Sequence, residues 1–325
     1  MTGGAGLIGS HLVRLLVEEG YRVFIIDNFE RGSRENLEDI QGSVQVIECD
    51  LRDQARTEMI IGKHGFDDVY HLAARLGGVG YVTDHPAECF TPNLQMNVNV
   101  LEACRKAEID RLLFTSTACI YPVELQKRPD APALREVDDC PYNPEFGYGW
   151  AKLITEHLCN AYIREYGMKI SIVRMFNVYG PGENMREDSH VIPMLIRKAI
   201  RYPEEEFVVW GSGDATRAFT FVSDAAAGLI LTMEKGINNG PYNIGGHETV
   251  SIRRLAEMIK EISGKKDMPI VFDASRPEGV SGRAADWTKA REELGWNPHI
   301  SLEEGLRITY ESTEKKLKKH GYALQ

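Results

Sequence analysis

The chain has 325 residues and a net charge of −10, from 38 Lys and Arg against 48 Asp and Glu. At roughly 150 residues per domain this length corresponds to about two domains, and the acidic balance argues against a nucleic-acid partner. No apolar run approaches the ~18 residues of a membrane span. The six cysteines form no C-x-x-C pair or zinc-type cluster, so we expect reduced thiols, no metal site and a cytoplasmic location.

Short apolar segments alternate with amphipathic stretches through the first half of the chain. The predicted strands are Arg22–Asn28, Val44–Asp50, Val69–Ala74, Arg111–Thr117 and Ile170–Arg174, and the predicted helices are His11–Glu19, Asn93–Ala107 and Glu145–Tyr166. This alternation is typical of a parallel sheet covered by helices on both faces. We therefore predict a doubly wound α/β domain over residues 1–176.

The pattern becomes irregular after Asn177. Helical patterns at Val191–Arg201, Ser223–Lys235, Ser251–Ser263 and Ser301–Lys318 are separated by loops rich in Gly and Pro. They predict a smaller α/β lobe over residues 177–325, built over the mouth of the first domain and with some segments returning to it.

A glycine-rich loop, TGGAGLIG, leads directly into the first helix. Its glycines at positions 3, 6 and 9 allow a tight turn and the close approach of a pyrophosphate to the positive helix N-terminus. The next strand ends in Asp27, where a carboxylate binds the adenosine ribose and repels a 2′-phosphate. The pattern predicts a Rossmann-type fold that binds NAD rather than NADP, although Arg31 and Arg34 follow closely; turn-forming glycines without a cofactor are the alternative. The predicted cofactor contacts are Gly3, Gly6, Leu7, Ile8, Asp27, Asn28, Asp50, Leu51, Leu72, Ala73 and Ala74.

The glycine loop begins at Thr2, so the strand that should precede it is missing from the sequence. A doubly wound sheet needs that strand at its centre. We therefore expect translation to start upstream, with Met1 an internal valine codon taken as a start.

Tyr148 and Lys152 stand at i and i+4, on one face of a predicted helix. Such a pair is commonly a packing contact, but the segment TSTACIYP brings Thr117 and Cys119 to the same edge of the sheet. A lysine ammonium beside a phenol favours the phenolate and lowers the tyrosine pKa. Tyr148 and Lys152 would then also border the cofactor, with Tyr148 as the base for a sugar hydroxyl and Thr117 as a hydrogen-bond partner of the same oxygen.

The chain resembles the extended short-chain dehydrogenase/reductase family, whose members act mostly on nucleotide sugars. The resemblance covers nearly the whole chain and is carried by the glycine loop, by Tyr148-x-x-x-Lys152, by NVYGP from Asn177 and by WGSGDATRAFTFVSD from Trp210. Within the family the sequence is similar to two branches. The GDP-mannose 3,5-epimerases share ACIYP around Cys119, GGVG, PEGVSGR and EGLRITY, whereas the GDP-fucose synthases share SHVIP from Ser189.

Both branches use a catalytic cysteine and a second proton carrier, which is a lysine in the first branch and a histidine in the second. This sequence offers His190 and has no lysine between Lys169 and Lys198. Inverting a carbon next to a C4 ketone needs a base on one face of the sugar and an acid on the other. A thiolate at Cys119 and an imidazole or imidazolium at His190 titrate near neutrality when suitably placed; the alternatives are a buried structural thiol and a packed helix N-terminus.

The resemblance also implies the substrate site and the partners. The residues that match substrate-binding positions of the family are Gly78, Asn177, Arg217 and Arg283, with the two arginines on the diphosphate; surface salt bridges are their alternative. The implied partners are a nucleotide sugar, with a GDP-hexose favoured, and a second copy of the chain in a homodimer formed through the helix that carries Tyr148.

The preferred prediction is a GDP-mannose 3,5-epimerase that uses NAD and a 4-keto intermediate. Three alternatives stay open. The first is a GDP-4-keto-6-deoxymannose 3,5-epimerase/4-reductase, which His190 favours and Asp27 disfavours because that branch generally prefers NADPH. The second is a UDP-sugar 4-epimerase or decarboxylase, which Cys119 disfavours. The third is a non-catalytic NAD-binding regulator, which the complete set of Thr117, Tyr148 and Lys152 disfavours.

Overall fold

A computed structural model describes residues 1–321. The helices are α1 (Leu7–Glu18), α2 (Gln54–His64), α3 (Val79–Asp84), α4 (Pro86–Lys106), α5 (Phe146–Tyr166), α6 (Val191–Arg201), α7 (Val222–Lys235), α8 (Ile252–Ser263) and α9 (Leu302–Lys319). The strands are β1 (Val23–Asp27), β2 (Val44–Glu48), β3 (Asp68–His71), β4 (Arg111–Thr117), β5 (Lys169–Met175), β6 (Val178–Tyr179), β7 (Val208–Trp210), β8 (Thr216–Ala218), β9 (Thr220–Phe221), β10 (Pro241–Ile244), β11 (Thr249–Ser251), β12 (Val271–Asp273) and β13 (Gly282–Arg283).

The main sheet is parallel throughout, in the order β2, β1, β3, β4, β5, β10. Thr2 lies between β1 and β3, where it forms bridges to Ile26 and His71. Its backbone N–H donates to Tyr70 at 2.9 Å, and the Gly3 N–H donates to Ile26 at 2.9 Å. The glycine loop therefore starts at the centre of the sheet, between β1 and β3. The doubly wound α/β fold predicted from the alternating pattern is confirmed.

Successive side chains of β4 lie on opposite faces of the sheet, as in any β-strand. Leu113 packs with Leu12 of α1 and Leu229 of α7 on one face. Leu112 and Phe114 pack on the other face, against α2, α4 and α5. Leu113 is fully buried, so its replacement by Ala should destabilise the fold by about 2–5 kcal/mol.

The second lobe covers the carboxyl ends of these strands. Its small sheets pair β8 with β11 and β13, β7 with β12, and β6 with β9. The amphipathic helices α6, α8 and α9 close a separate apolar core around Leu195, Leu255 and Leu306. Strand β10 follows α7 in the chain but pairs with β5 in the main sheet, so the polypeptide returns to the first domain after building part of the lobe.

Two classes of feature are absent from residues 1–321. None of their helices combines the length and the apolar character that a bilayer crossing requires. Their His, Cys, Asp and Glu side chains also form no group of three or more that could hold a metal ion.

Candidate active site

A cavity of about 460 Å³ lies between the carboxyl ends of the parallel strands and the second lobe. In a doubly wound sheet this crevice is where ligands bind. The sequence-predicted residues that line it are Gly3, Gly6, Leu7, Ile8, Leu72, Ala74, Thr117, Cys119, Tyr148, Lys152, Asn177, His190, Arg217 and Arg283. The predicted residues outside its lining are Asp27, Asn28, Asp50, Leu51, Ala73 and Gly78.

The glycine loop fits a pyrophosphate. Gly3 has φ +70°, and a Cβ there would lie 2.7 Å from the backbone nitrogen of Ala73, so only glycine lets the loop pack against the end of β3. Gly6 precedes α1, and no side chain caps the N-terminus of this 12-residue helix. The first N–H groups of α1 are thus left for an anion at the wall of the cavity.

Asp27 lies behind the loop rather than on the cavity wall. Its Oδ2 atom accepts from the Ala5 N–H and its Oδ1 atom accepts from the Phe29 N–H, both at 2.9 Å. Burial raises the pKa of this carboxyl, and the backbone donors oppose the rise. A carboxylate has about four lone-pair sites, so Asp27 keeps acceptor capacity for a ribose hydroxyl.

The two arginines that follow Asp27 are both engaged by carboxylates. Arg31 Nη1 donates to Asp188 at 2.6 Å, and Arg34 pairs with Glu48 on the surface. An NADP site needs a cation beside the ribose to neutralise the 2′-phosphate. With both cations paired, the surroundings of Asp27 fit NAD.

Four predicted contacts have other partners in the structure. Asp50 is bound by the Arg52 side chain, whose hydrogen bonds lower the pKa of the Asp50 carboxyl. The Leu51 carbonyl accepts from Asn99, and Asn28 Oδ1 caps the turn at Glu30. The Gly78 N–H donates to the Asp188 carbonyl at 2.6 Å, and a Cβ at Gly78 would collide with Ser189. Gly78 therefore fastens the loop that carries His190, and it is not brought to the cavity wall.

Tyr148 and Lys152 project from α5 into the cavity beside the end of β4. Lys152 Nζ donates to the Thr115 carbonyl at 2.6 Å and lies 5.8 Å from the centre of the Tyr148 ring. Burial lowers the pKa of Lys152 to about 7. Burial also raises the pKa of the Tyr148 phenol, so the expectation of a lowered tyrosine pKa is not met by the protein groups alone.

The turn after β4 presents Thr117 and Cys119 to the same space. Thr117 Oγ1 accepts from the Cys119 N–H at 3.2 Å, which leaves the hydroxyl proton for another acceptor. Helix α5 packs directly on this turn at Gly149. A Cβ atom at this position would collide with the Cys119 carbonyl, so the absence of a side chain permits the contact. The contact fixes the distance between the tyrosine helix and the thiol.

Arg283 lies against the thiol of Cys119, with Nη1 at 3.6 Å from Sγ. Its Nε atom donates to Gln126 at 2.6 Å, and its Nη2 atom pairs with the buried carboxylate of Glu145. Burial raises the pKa of the Cys119 thiol, while the Arg283 charge acts in the opposite direction. The prediction for Arg283 was a contact to the diphosphate, but its contacts here are with Cys119, Gln126 and Glu145.

Arg217 lines the cavity and has no carboxylate oxygen within 4 Å of its guanidinium among residues 1–321. Its Nη1 atom donates to the Thr216 carbonyl at 2.8 Å. Burial and the neighbouring Arg283 lower its pKa to about 10. Asn177 stands nearby in the left-handed region at φ +41°, held by a 3.0 Å bond from Nδ2 to the Ala218 carbonyl. A phosphate would supply the anion that Arg217 lacks.

His190 lies at the N-cap of α6, on the cavity wall. Its Nδ1 atom contacts Oε1 of Glu183, whose side chain is 9% exposed, whereas the His190 side chain is 52% exposed. Burial acts to lower the pKa of His190, but the Glu183 carboxylate outweighs it and the pKa is raised.

Four charged residues that line the cavity were missed by the sequence interpretation: Arg31, Glu145, Glu183 and Glu278. Glu145 stands three positions before Tyr148, and Glu183 stands two positions after the NVYGP segment. Their proximity to recognised motifs was the available signal. Nothing in the sequence identified the partners of these two carboxylates.

Comparisons with known proteins identify the family of the chain. A family model described as the NAD dependent epimerase/dehydratase family matches residues 1–245. The GDP-mannose 3,5-epimerase of Arabidopsis thaliana is 34% identical over 319 residues, covering 98% of this chain and 82% of that protein. The GDP-L-fucose synthase of Escherichia coli is 35% identical over 325 residues, covering 96% of this chain and 94% of that protein.

Among solved structures, the chain is similar to the UDP-glucose 4-epimerase of Thermotoga maritima, which was crystallised with UDP-glucose. The TM-score is 0.88 at 34% sequence identity, and the match covers 97% of this chain and 98% of that one. The solved structure shares the fold over nearly its whole length, and the names of the three relatives differ in nucleotide and in reaction.

Proposed function

Because the chain belongs to the NAD-dependent epimerase/dehydratase family, we propose that it is a GDP-mannose 3,5-epimerase that works through a 4-keto intermediate. The observation that carries the proposal is that Cys119 and His190 line the same cavity as the Tyr148 and Lys152 pair. A simple 4-epimerase needs only oxidation and reduction at C4. Two further proton carriers are required when a neighbouring carbon is inverted.

Oxidation at C4 comes first. NAD⁺, when bound, would supply the acceptor for the hydride of C4 and, once reduced, the donor of the hydride that returns to C4 after epimerisation. Tyr148 removes the proton of the 4-hydroxyl, and Thr117 Oγ holds the same oxygen by a hydrogen bond. Lys152, fixed by the Thr115 carbonyl at 2.6 Å, places its ammonium charge near the phenol and favours the phenolate. The phenolate in turn favours the charged lysine, so the two groups titrate as a pair.

The C4 ketone makes the C–H bonds at C3 and C5 acidic. The Cys119 thiolate takes the proton, and the electron pair of the broken C–H bond moves into the enolate. His190 then delivers a proton to the other face of that carbon, and the enolate returns to the ketone. Arg283 beside Sγ favours the thiolate that the first step needs.

The nucleotide part of the substrate would lie in the second lobe. The hydrogen-bond partners of Arg217 are the carbonyls of Thr216 and Glu278, and its guanidinium would bind the diphosphate of the substrate. GDP is preferred because the Arabidopsis relative carries it in its name. The base is the part of this proposal that rests on similarity rather than on a contact.

A second candidate is the epimerisation and reduction of a 4-keto-6-deoxy sugar, as the name and similarity of the Escherichia coli relative suggest. His190 favours it, because the histidine stands where that branch carries its own. The paired arginines beside Asp27 disfavour it, since they leave no cation for the 2′-phosphate of NADPH.

Deuterium exchange separates the two candidates. The purified protein, without added cofactor, is incubated with GDP-mannose in deuterated water, and C3 and C5 are followed by NMR. Exchange supports the proposed epimerase. Exchange only with the GDP-4-keto-6-deoxy sugar would support the second candidate instead, and exchange with neither would overturn both. Cys119→Ser should abolish exchange while NAD stays bound.

We also propose a homodimer formed through α4 and α5, which contact each other on one face of the sheet. Trp150 and Ile154 of α5 are each 40% exposed, and Val98 of α4 is 38% exposed. A second copy would cover this apolar surface. Light scattering should give a dimer for the wild type and a monomer for Trp150→Glu; a monomeric wild type at micromolar concentration would contradict the proposal.

A further inference from the structure

Glu183 is engaged by a single charged side chain. Its Oε1 atom contacts His190 Nδ1, and its Oε2 atom is buried without a hydrogen-bond partner among residues 1–321. A buried carboxylate is costly unless a charge pairs with it. The imidazolium form of His190 provides that charge, so the protonated histidine and the ionised glutamate stabilise each other.

The contact also fixes the orientation of the ring. Because Nδ1 is occupied by Glu183, Nε2 is the nitrogen without a protein partner in the described part of the chain. His190 lies on the cavity wall with half of its side chain accessible. A histidine whose Nδ1–H is held by a carboxylate has a defined ring orientation, and in the imidazolium form its Nε2 also carries a proton.

The loop between these two residues is anchored on both sides. The Gly182 carbonyl accepts from Asn36 Nδ2 at 2.8 Å, and Ser189 Oγ donates to the Asn184 carbonyl at 2.9 Å. Asp188 is held by Arg31 and by the Gly78 N–H, both at 2.6 Å. The pair of Glu183 and His190 therefore lies on a fastened segment.

Other charges face His190 besides Glu183. Arg31 lowers its pKa and Asp188 raises it, and these two residues form an ion pair with each other. Because Arg31 and Asp188 act on the pKa of His190 in opposite directions, Glu183 is the charged neighbour whose replacement should change that pKa most.

We propose that Glu183 is a positioning residue that holds His190 through Nδ1 and directs its Nε2–H into the cavity as the proton donor opposite Cys119. This inference rests on the proposed epimerase function. In the reaction the Nε2–H bond breaks, the proton forms a C–H bond with the enolate carbon, and the imidazolium becomes neutral imidazole. Glu183 remains ionised throughout and exchanges no proton.

The first test is substrate-free. The full chain with its bound NAD and labelled histidines is titrated by NMR, with His190→Asn identifying the His190 signal among the nine histidines. Glu183→Gln should lower the pH at the midpoint of the His190 titration, and Glu183→Asp should give a midpoint between those of Glu183→Gln and the wild type. A midpoint unchanged in Glu183→Gln would overturn the proposal.

The second test measures deuterium exchange at C3 and C5 against pH. Glu183→Gln should reduce the exchange rate by at least about tenfold and move the alkaline limb to lower pH, because the acid form of His190 is lost earlier. A purely structural role would lower the rate equally at every pH. The matched control is Glu187→Gln, an exposed carboxylate of the same loop that does not line the cavity.

The two tests separate the failure of this inference from the failure of the proposed function. If the wild type exchanges but Glu183→Gln matches Glu187→Gln in rate and pH profile, the role of Glu183 is wrong and the epimerase stands. If the wild type shows no exchange with any sugar nucleotide, the proposed function is wrong, and the NMR midpoint still decides whether Glu183 holds His190.

Discussion

The Nη1 atom of Arg283 lies 3.6 Å from the Sγ atom of Cys119, within a buried network that Glu145 and Gln126 complete. The arginine opposes the effect of burial on the thiol pKa. We expect Arg283→Met to raise the Cys119 pKa, because the cation is lost while the nearby Glu145 charge, which raises that pKa, remains. The measurement is the rate of Cys119 alkylation by iodoacetamide as a function of pH, read by peptide mass spectrometry.

The exposed thiol of Cys140 provides an internal control in the same samples. Its alkylation profile should be identical in the two proteins. Arg283→Lys keeps the charge without the guanidinium geometry and should fall between the wild type and Arg283→Met. A Cys119 profile that does not move in Arg283→Met would show that the arginine leaves the thiol unaffected.

Lys152 should control the oxidation step. Lys152→Met removes the ammonium group but keeps the length of a fully buried side chain, so burial, with Cys119 and Cys89, then raises the pKa of the Tyr148 phenol without an opposing cation. We expect oxidation at C4 to slow by about 100- to 10,000-fold. The near-ultraviolet absorbance of reduced nicotinamide in a single turnover reports the step. Tyr148→Phe is the reference variant, and wild-type rates in Lys152→Met would contradict the assigned role.

The sequence predicted the parts of the site that follow from local order. Strand ends of a parallel sheet meet at one edge, which is why Thr117, Leu72 and the glycine loop line one cavity as expected. The i, i+4 spacing likewise brought Tyr148 and Lys152 to the same face of α5. These relationships depend on the periods of strands and helices, and a sequence displays those periods directly.

The unpredicted features depend on contacts between distant segments. Glu145 and Arg283 are separated by 138 positions and form a buried pair, so no local pattern could indicate that Arg283 contacts the thiol. Helix α4 begins at Pro86, before the expected Asn93, and continues through Pro92, a residue type that usually ends a helix. Three asparagines of α4 are buried. One of them, Asn97, bonds to His71 and Thr155 instead of facing solvent.

Gly3→Ala should eliminate NAD binding. Gly3 combines φ +70° with a site where a Cβ would lie 2.7 Å from the Ala73 backbone, so the loop must move away from β3. Gly20→Ala is the matched control, because Gly20 has φ +87° but open space around the added methyl group. Both variants should lose stability from backbone strain, by about 1–3 kcal/mol. The measurement is the amount of bound NAD that each purified protein releases on denaturation. Only Gly3→Ala should release none, and release at the wild-type level from this variant would refute the role of the loop.

Ionisation of Glu35 should make the free energy of unfolding depend on pH in the acid range. It pairs with Lys316 at 2.9 Å and contacts Lys319 and His320, which ties α9 to the segment 34–40. Burial acts to raise its pKa, but these partners outweigh burial and lower the pKa from 4.5 to about 2. The carboxylate therefore stabilises the fold above about pH 4.5, and the contribution is lost as the pH falls towards 2.

Denaturant unfolding of the wild type and Glu35→Gln across this pH range measures the contribution. The difference in unfolding free energy should be about 1–2 kcal/mol at neutral pH, since solvent screens the exposed lysine, and should vanish near pH 2. Glu38→Gln is the control, because Glu38 contacts Lys319 alone on the surface. A constant difference between wild type and Glu35→Gln at all pH values would mean that packing of the side chain, rather than its ionisation, joins α9 to the first domain.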